Sequence, residues 1–252
     1  MVTRGSNNGP NSSPNTRRRP GAANPKSFVG LVLVLILAGA GGLAYLASRQ
    51  HAGPAATVVD PNLPPAVAKG YAMGRPDAPV QILEFADFEC PACGNYSVVT
   101  EPDVRKRVIE PGLARVTYYD FPLPQHKNTM TASEAAACAN DQGKFWEMHD
   151  RLFQGQTDWN TEATSDPVSV MQGYAKAIGL DVDKWRACVD SRTHQRDIDA
   201  NKAEGERRQV NQTPTFVIGS RMVAGSLTDD QIKAYVDSAR VSAGAADSGA
   251  AH

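Results

Sequence analysis

The sequence predicts an α/β domain with a mixed central sheet and a helical insertion, preceded by one transmembrane helix. Three observations carry this. Runs rich in branched and aromatic residues at 80–88, 114–121 and 215–225 read as buried strands. A stretch from about 129 to 208 is alanine-rich or amphipathic and reads as helical throughout. Residues 28–47 hold twenty consecutive positions without a charge. The 252 residues suit one full-sized domain with appendages. A hydrophobic content of 41% against 21% charged excludes whole-chain disorder, and 21 Gly with 17 Pro but no three-residue period exclude a collagen-like chain.

Residues 1–27, rich in Asn, Ser, Pro, Gly and Arg, lack the apolar area that offsets chain entropy and are expected to form a disordered tail. The following stretch, FVGLVLVLILAGAGGLAYLA, is long enough to cross a hydrocarbon core of roughly 30 Å as a helix. A cleaved signal peptide is the alternative. Its apolar part is normally shorter and ends in a small-x-small site, where Tyr45 stands here before Ala47. Arg4, Arg17, Arg18, Arg19 and Lys26 precede the span and only Arg49 closely follows it, which places the N-terminus in the cytoplasm and the rest outside. The remaining chain holds 21 of the 26 basic residues against all 27 acidic ones, an excess of negative charge that argues against a nucleic-acid partner.

Residues 48–66, with Gly53, Pro54, Pro61, Pro64 and Pro65, read as a linker, and the domain itself is expected over 67–242. VQILEFADF (80–88) is a buried strand leading directly into CPACGNYS; ARVTYYDF (114–121) is a second; TFVIG and RMVAG form a hairpin about Gly219 and Ser220. The insert contains TASEAAACA, KFWEMHDRLF, VSVMQGYAKAIGL and DVDKWRACVDS, punctuated by Gly143, Asp166, Pro167 and Gly179. The last helix starts at Thr228, with Gln231 completing a capping box and Leu227 stapled to Ile232. Residues 243–252 read as a flexible tail.

Cys90-Pro91-Ala92-Cys93 falls where a buried strand turns into a helix. There, main-chain N–H groups and the positive helix end favour a thiolate at Cys90. Pro91 suits the first helical turn, where its missing N–H would have had no intrahelical partner. Cys93, one turn further in, is placed to close a disulfide with Cys90. The spacing also occurs in zinc sites, but Cys138 and Cys188 each stand alone in a helical stretch and make no second ligand pair. Gly94 stands where covalent haem attachment needs His. A redox pair, a zinc site and an inert disulfide thus remain as readings, the first preferred; no cofactor or metal is called for.

LEFADFECPAC before a helix, QGKFWEMHDRLF in a helical insert and TPTFVIG before a hairpin, in that order, resemble the DsbA-type thiol:disulfide oxidoreductases of the thioredoxin superfamily. The resemblance covers about residues 67–242. It implies a thioredoxin-like fold and dithiol–disulfide exchange at Cys90 and Cys93 on exported polypeptides bearing free thiols, with reoxidation by a quinone-linked membrane protein. It further implies that Thr213-Pro214 is the cis-proline loop facing the catalytic pair, with Thr213 offering main-chain hydrogen bonds to substrate, and that Glu84 is the buried acid assisting proton transfer. Taken alone, Pro214 would be read as a trans proline opening a strand and Glu84 as a solvent-facing strand residue. Many strong oxidants of the family carry Pro-His between the cysteines. Ala92 replaces that imidazole here, which predicts a milder oxidant.

In an oxidising compartment a structural Cys138–Cys188 disulfide is favoured over two buried thiols, and closing that loop of about 50 residues would stabilise the fold by roughly 4 kcal/mol on the chain-entropy account. Glu89, beside Cys90, reads as a solvated charge with a tuning effect. His126, His149 and His194 are scattered singly and default to surface or packing roles, although His126 lies near the active face by the family likeness. Trp146, Trp159, Trp185 and Phe145 read as core of the insert. The sequons at Asn95 and Asn211 read as chance. A disulfide isomerase or reductase is the nearest rival function, and a non-catalytic thioredoxin-fold scaffold is the rival from another class.

Overall fold

A computed structural model describes Gly30 and residues 35–43, 55–60 and 68–249 of the chain. It divides into two units, Met1–Ala52 and Gly53–His252. In the first, residues 35–43 are helical, with Leu35, Ile36, Leu37 and Leu43 exposed. Among the described residues no helix is long and apolar enough to cross a membrane. The tail at 1–27 and the remainder of the 28–47 span lie outside the described residues, apart from Gly30.

The second unit holds a six-stranded sheet in the order β1-β6-β5-β3-β4-β2. The strands are β1 (Ala56–Val58), β2 (Tyr71–Met73), β3 (Gln81–Ala86), β4 (Arg115–Asp120), β5 (Thr215–Ile218) and β6 (Arg221–Ala224). Only the β3–β4 pair is parallel; the other pairs are antiparallel. The parallel pair requires a crossover helix, and the β3-to-β4 connection supplies it. That connection starts with α1 (Pro91–Asn95), widens through a π-helical turn at Tyr96–Thr100, continues as α2 (Glu101–Val104) and widens again at Arg105–Ile109. Pro102, which has no N–H to donate, sits just past the first wide turn.

Two short strands escaped sequence reading. β1 lies inside the stretch read as a linker and pairs with β6, Thr57 opposite Met222; β2 pairs with β4, Ala72 opposite Thr117. Three residues carry too little alternation to register as a strand, and here pairing with a longer neighbour creates the element. At the other end, the stretch read as a flexible tail from 243 continues the last helix, α9 (Asp229–Gly249), for most of its length. The start of α9 has the capping box: Gln231 N donates to Thr228 Oγ1 at 3.2 Å and Thr228 N to Gln231 Oε1 at 2.9 Å.

Between β4 and β5 lies the insertion: α3 (Thr129–Asn140), α4 (Phe145–Gln154), α5 (Gln156–Trp159), α6 (Pro167–Ala177), α7 (Val182–Asp190) and α8 (Gln195–Arg207). It has its own core, in which Ala132, Ala135, Ala136 and Ala139 of α3 let helices approach closely around Met148, Leu152, Trp159 and Trp185. The two faces of the sheet are covered separately. Ile82, Phe216 and Ile218 pack with Tyr96, Val104, Ile232 and Val236 on one face, and Phe85, Tyr119, Phe121 and Val217 form the other cluster. α8 approaches this second face at Gly205, where a Cβ would fall 2.5 Å from Phe121 Cδ2, so any side chain there would force the layers apart. Cys138 and Cys188 are bonded, S–S 2.05 Å, tying α3 to α7.

Replacing Thr228 with Ala removes the hydroxyl that accepts from Gln231. A loss of about 1 kcal/mol in unfolding free energy is expected, read from the urea midpoint at unchanged slope.

Candidate active site

β3 is central, flanked by β4 and β5, and delivers the chain to the edge of the core at Ala86. The turn Asp87–Phe88–Glu89 follows, closed by Cys90 N donating to Asp87 O at 3.1 Å. Cys90 is the N-cap of α1, still extended at φ −71°, ψ 121°, and Pro91 opens the helix. Gly94 N then donates to Cys90 O at 3.0 Å, the first helical bond of the segment. The site is thereby a strand end, a one-turn corner and a helix start, with one sulfur outside the first turn and the other within it.

Both cysteines are free thiols and both are buried. The Cys90 thiol donates to Thr213 O at 3.5 Å, and the Thr213–Pro214 peptide bond is cis. A hydrogen bond from the Cys93 thiol brings the Cys90 pKa down to about 6; burial opposes this, and Thr213 and the main-chain N–H groups of Cys93 and Ala92 assist it. Burial pushes Cys93 well above the ordinary thiol range, reinforced by its bond to Cys90. The two sulfurs thus share one proton on Cys93 and one negative charge on Cys90 near neutral pH. That is the arrangement from which a disulfide forms or opens with a defined leaving group.

Glu84 is buried on the face of β3 that also carries Ile82, and burial, then the nearby charge of Glu101, push its carboxyl well above the usual range. Its Oε2 has no hydrogen-bond partner among the described residues. The groups acting on Glu84 are Glu101 and Arg105, those acting on Cys93 are Cys90, Asp87 and Thr213, and Tyr118 feels both Cys93 and Glu84.

Glu89 corrects the sequence reading. It is not a solvated charge but 5% exposed, accepting from Asn128 N at 2.9 Å and from Thr161 N. Main-chain donors from the insert replace the water such a carboxylate would otherwise require. Three further residues went unnoticed in the sequence. Asp87 is buried and accepts from Glu89 N, Leu123 N and Thr129 Oγ1, with His126 Nδ1 at 2.8 Å. Gln156 reaches from α5 to donate to Phe88 O at 2.7 Å and Cys90 O at 3.0 Å. Ser226 Oγ donates to Ala92 O at 3.2 Å. Gln156, Ser226 and the donors to Asp87 at 123, 126 and 129 all lie far along the chain from the cysteines, so no local pattern marks these contacts.

His149 and His194 stand apart from the cysteine pair. His149 is fully buried, its Nδ1 2.9 Å from Asp150 Oδ1; His194 Nε2 lies 2.9 Å from Asp141 Oδ2. Trp159 and Trp185 are core residues as read, whereas Trp146 lies partly open, donating to Ala72 O under the Arg105 guanidinium. Two clusters among the described residues hold metal-ligand atoms close together, Cys138–Cys188–His194 and Glu101–His149–Asp150. In the first the sulfurs are bonded to each other. In the second Arg105 already neutralises both carboxylates, at 2.9 Å from Glu101 and 2.6 Å from Asp150.

A family model described as thioredoxin matches residues 67–238. The chain belongs to the thioredoxin family. Among solved structures, this thioredoxin-family chain is similar to oxidised BdbD from Bacillus subtilis (TM-score 0.63, 21% identity, covering 73% of this chain and 98% of that one). It is also similar to DsbA from Chlamydia trachomatis (TM-score 0.61, 21% identity, 70% and 95%). Among curated relatives, the Na(+)/H(+) antiporter NhaA 1 of Salinispora arenicola is 32% identical over 193 residues, which is 76% of this chain but 28% of that protein. The chain therefore spans well under a third of the length of that relative. The probable disulfide bond formation protein D of Bacillus anthracis is 23% identical over 166 residues, 66% of this chain and 76% of that one.

In the dithiol form, thiolate absorbance is expected to rise with a midpoint near pH 6 from Cys90 alone. Because the folded value is depressed, the stabilisation is complete above the unfolded thiol value and disappears as pH falls through about 6. The melting temperature of the parent minus that of Cys90→Ser should accordingly widen from pH 6 to 9. Glu84 has the opposite sign. Its raised value makes ionisation unfavourable in the folded state, so Glu84→Gln should gain stability over the parent as pH rises above the ordinary carboxylate range, measured by thermal melts across pH.

Proposed function

We propose that this chain is a thiol:disulfide oxidoreductase that introduces disulfide bonds into exported proteins by exchange at Cys90 and Cys93. One observation carries the reading: two free sulfurs at the start of α1, one at its N-cap and one in its first turn, with acidities pushed in opposite directions, beside the Thr213–Pro214 loop. The printed names of the relatives, disulfide bond formation protein D, BdbD and DsbA, support it.

A substrate thiolate attacks Cys90 Sγ of the Cys90–Cys93 disulfide. The S–S bond breaks, Cys93 leaves with the electron pair and takes a proton, and a mixed disulfide joins Cys90 to the substrate. A second substrate thiolate then attacks the substrate sulfur of that bond and releases Cys90 as a thiolate, the better leaving group because of its low pKa. The substrate has lost two electrons and the protein has gained them. Return to the disulfide form is assigned to a quinone-linked membrane protein, on the family resemblance. Thr213 offers its main chain to an extended substrate, with Pro214 preventing a strand from closing over the sulfur. Pro91 and Ala92 tune the pair, and the absence of an imidazole at 92 makes it a milder oxidant than the Pro-His members. Glu84 assists proton transfer at Cys93. The Cys138–Cys188 bridge is structural. The apolar segment 28–47 anchors the chain, with the N-terminus cytoplasmic and the domain extracytoplasmic.

The purified protein should oxidise a reduced, unfolded test protein, and Cys90→Ser should abolish that activity by at least a hundredfold. Cys138→Ser should chiefly lower the melting temperature. Thiol trapping in cells decides between the directions of flow: a mostly oxidised 90/93 pair supports the oxidase, and a mostly reduced pair the reductase or isomerase. Undiminished turnover by Cys90→Ser rejects the assignment.

A further inference from the structure

Asp87 is among the most enclosed carboxylates in the second unit, at 1% exposure, and every hydrogen bond it receives ends on the same corner. Its Oδ1 accepts from Glu89 N at 2.7 Å and Thr129 Oγ1 at 2.6 Å. Its Oδ2 accepts from Leu123 N at 2.8 Å and faces His126 Nδ1 at 2.8 Å. The donors come from three places: the redox turn, the loop after β4, and the first turn of α3. Two of them, the main-chain N–H groups of Glu89 and Leu123, can only donate, one to each carboxylate oxygen, while the Thr129 hydroxyl and the imidazole can take either role. Both side-chain oxygens must therefore accept. Asn would set its amide N–H group against one of these main-chain donors on whichever side the nitrogen took.

The main chain of the same residue meets both sulfur-bearing residues. Asp87 O accepts from Cys90 N at 3.1 Å, and the Asp87 main chain is among the groups that pull the Cys93 thiol down against its burial. The side chain thus clamps, by four bonds, a backbone segment that bonds to Cys90 and acts on Cys93. We propose that Asp87 is the positioning residue of the redox pair, its carboxylate holding the 87–90 turn so that the donors around Cys90 stay aimed at the sulfur. The inference rests on the exchange reading of Cys90 and Cys93 and adds to it a residue of its own. Asp87 touches no reacting atom through its side chain; it acts through the turn. Thr129 and His126 serve it in the same way from the far side.

The test uses the full chain in the dithiol form, with Cys90 titrated by thiolate absorbance and exchange followed against a reduced test protein. Asp87→Asn should move the Cys90 midpoint up by about one unit, a tenfold fall in the thiolate-to-thiol ratio, and slow exchange at pH 6 by a similar factor. Thr129→Val removes one of the four bonds and leaves the chain near both sulfurs intact; it should shift the ratio about threefold in the same direction, and Thr129→Ser, which keeps the hydroxyl, should return most of that shift. Should Asp87→Asn fail to fold, the Thr129 pair decides. Variants that melt at lower temperature but titrate and exchange as the parent does would overturn the positioning role and leave the exchange reading standing. A parent whose Cys90 titrates as an ordinary thiol and exchanges nothing would overturn both.

Discussion

The constraint on which this molecule turns is the hydrogen-bonded corner between β3 and α1. A thiolate buried to 7% exposure would be unfavourable in an apolar setting. It is tolerated at Cys90 because the Cys93 thiol, Thr213 and two main-chain N–H groups converge on the sulfur. The same enclosure keeps Cys93 protonated. One short piece of backbone thus sorts two chemically identical groups into one that favours the thiolate and one that keeps its proton.

The rest of the fold serves that corner. β3 is held on both sides by β4 and β5 and covered on both faces, so the strand end has little freedom. Thr213 and Pro214 precede β5, and the antiparallel pairing of Phe85 with Thr215 brings that loop alongside the end of β3. The helical insertion adds donors to the turn, through Asn128, Thr129, Gln156 and Thr161.

What could be read in the sequence was what is local. The strands at 81–86 and 115–120, the hairpin, the helical character of 129–207 and the capping box at Thr228 each carry a period or an end signal within a few residues. The cysteine pair is legible because strand, Cys-Pro and helix are contiguous. What is not local was misread or missed. Glu89 looks like an exposed acid until loop amides from 128 and 161 fold onto it, and Asp87 looks like one more residue of the strand run at 80–88 until donors from 123, 126 and 129 arrive. β1 and β2 exist only as partners of longer strands, and three residues of such a partner leave no pattern of their own.

Gln156 gives the insertion a mechanical significance. One side-chain amide on α5 ties the carbonyls of Phe88 and Cys90 to the helical layer. Any displacement of α5 must either drag those two peptide units with it or break both bonds at once. The packing of the insertion and the backbone position of Cys90 are consequently latched together.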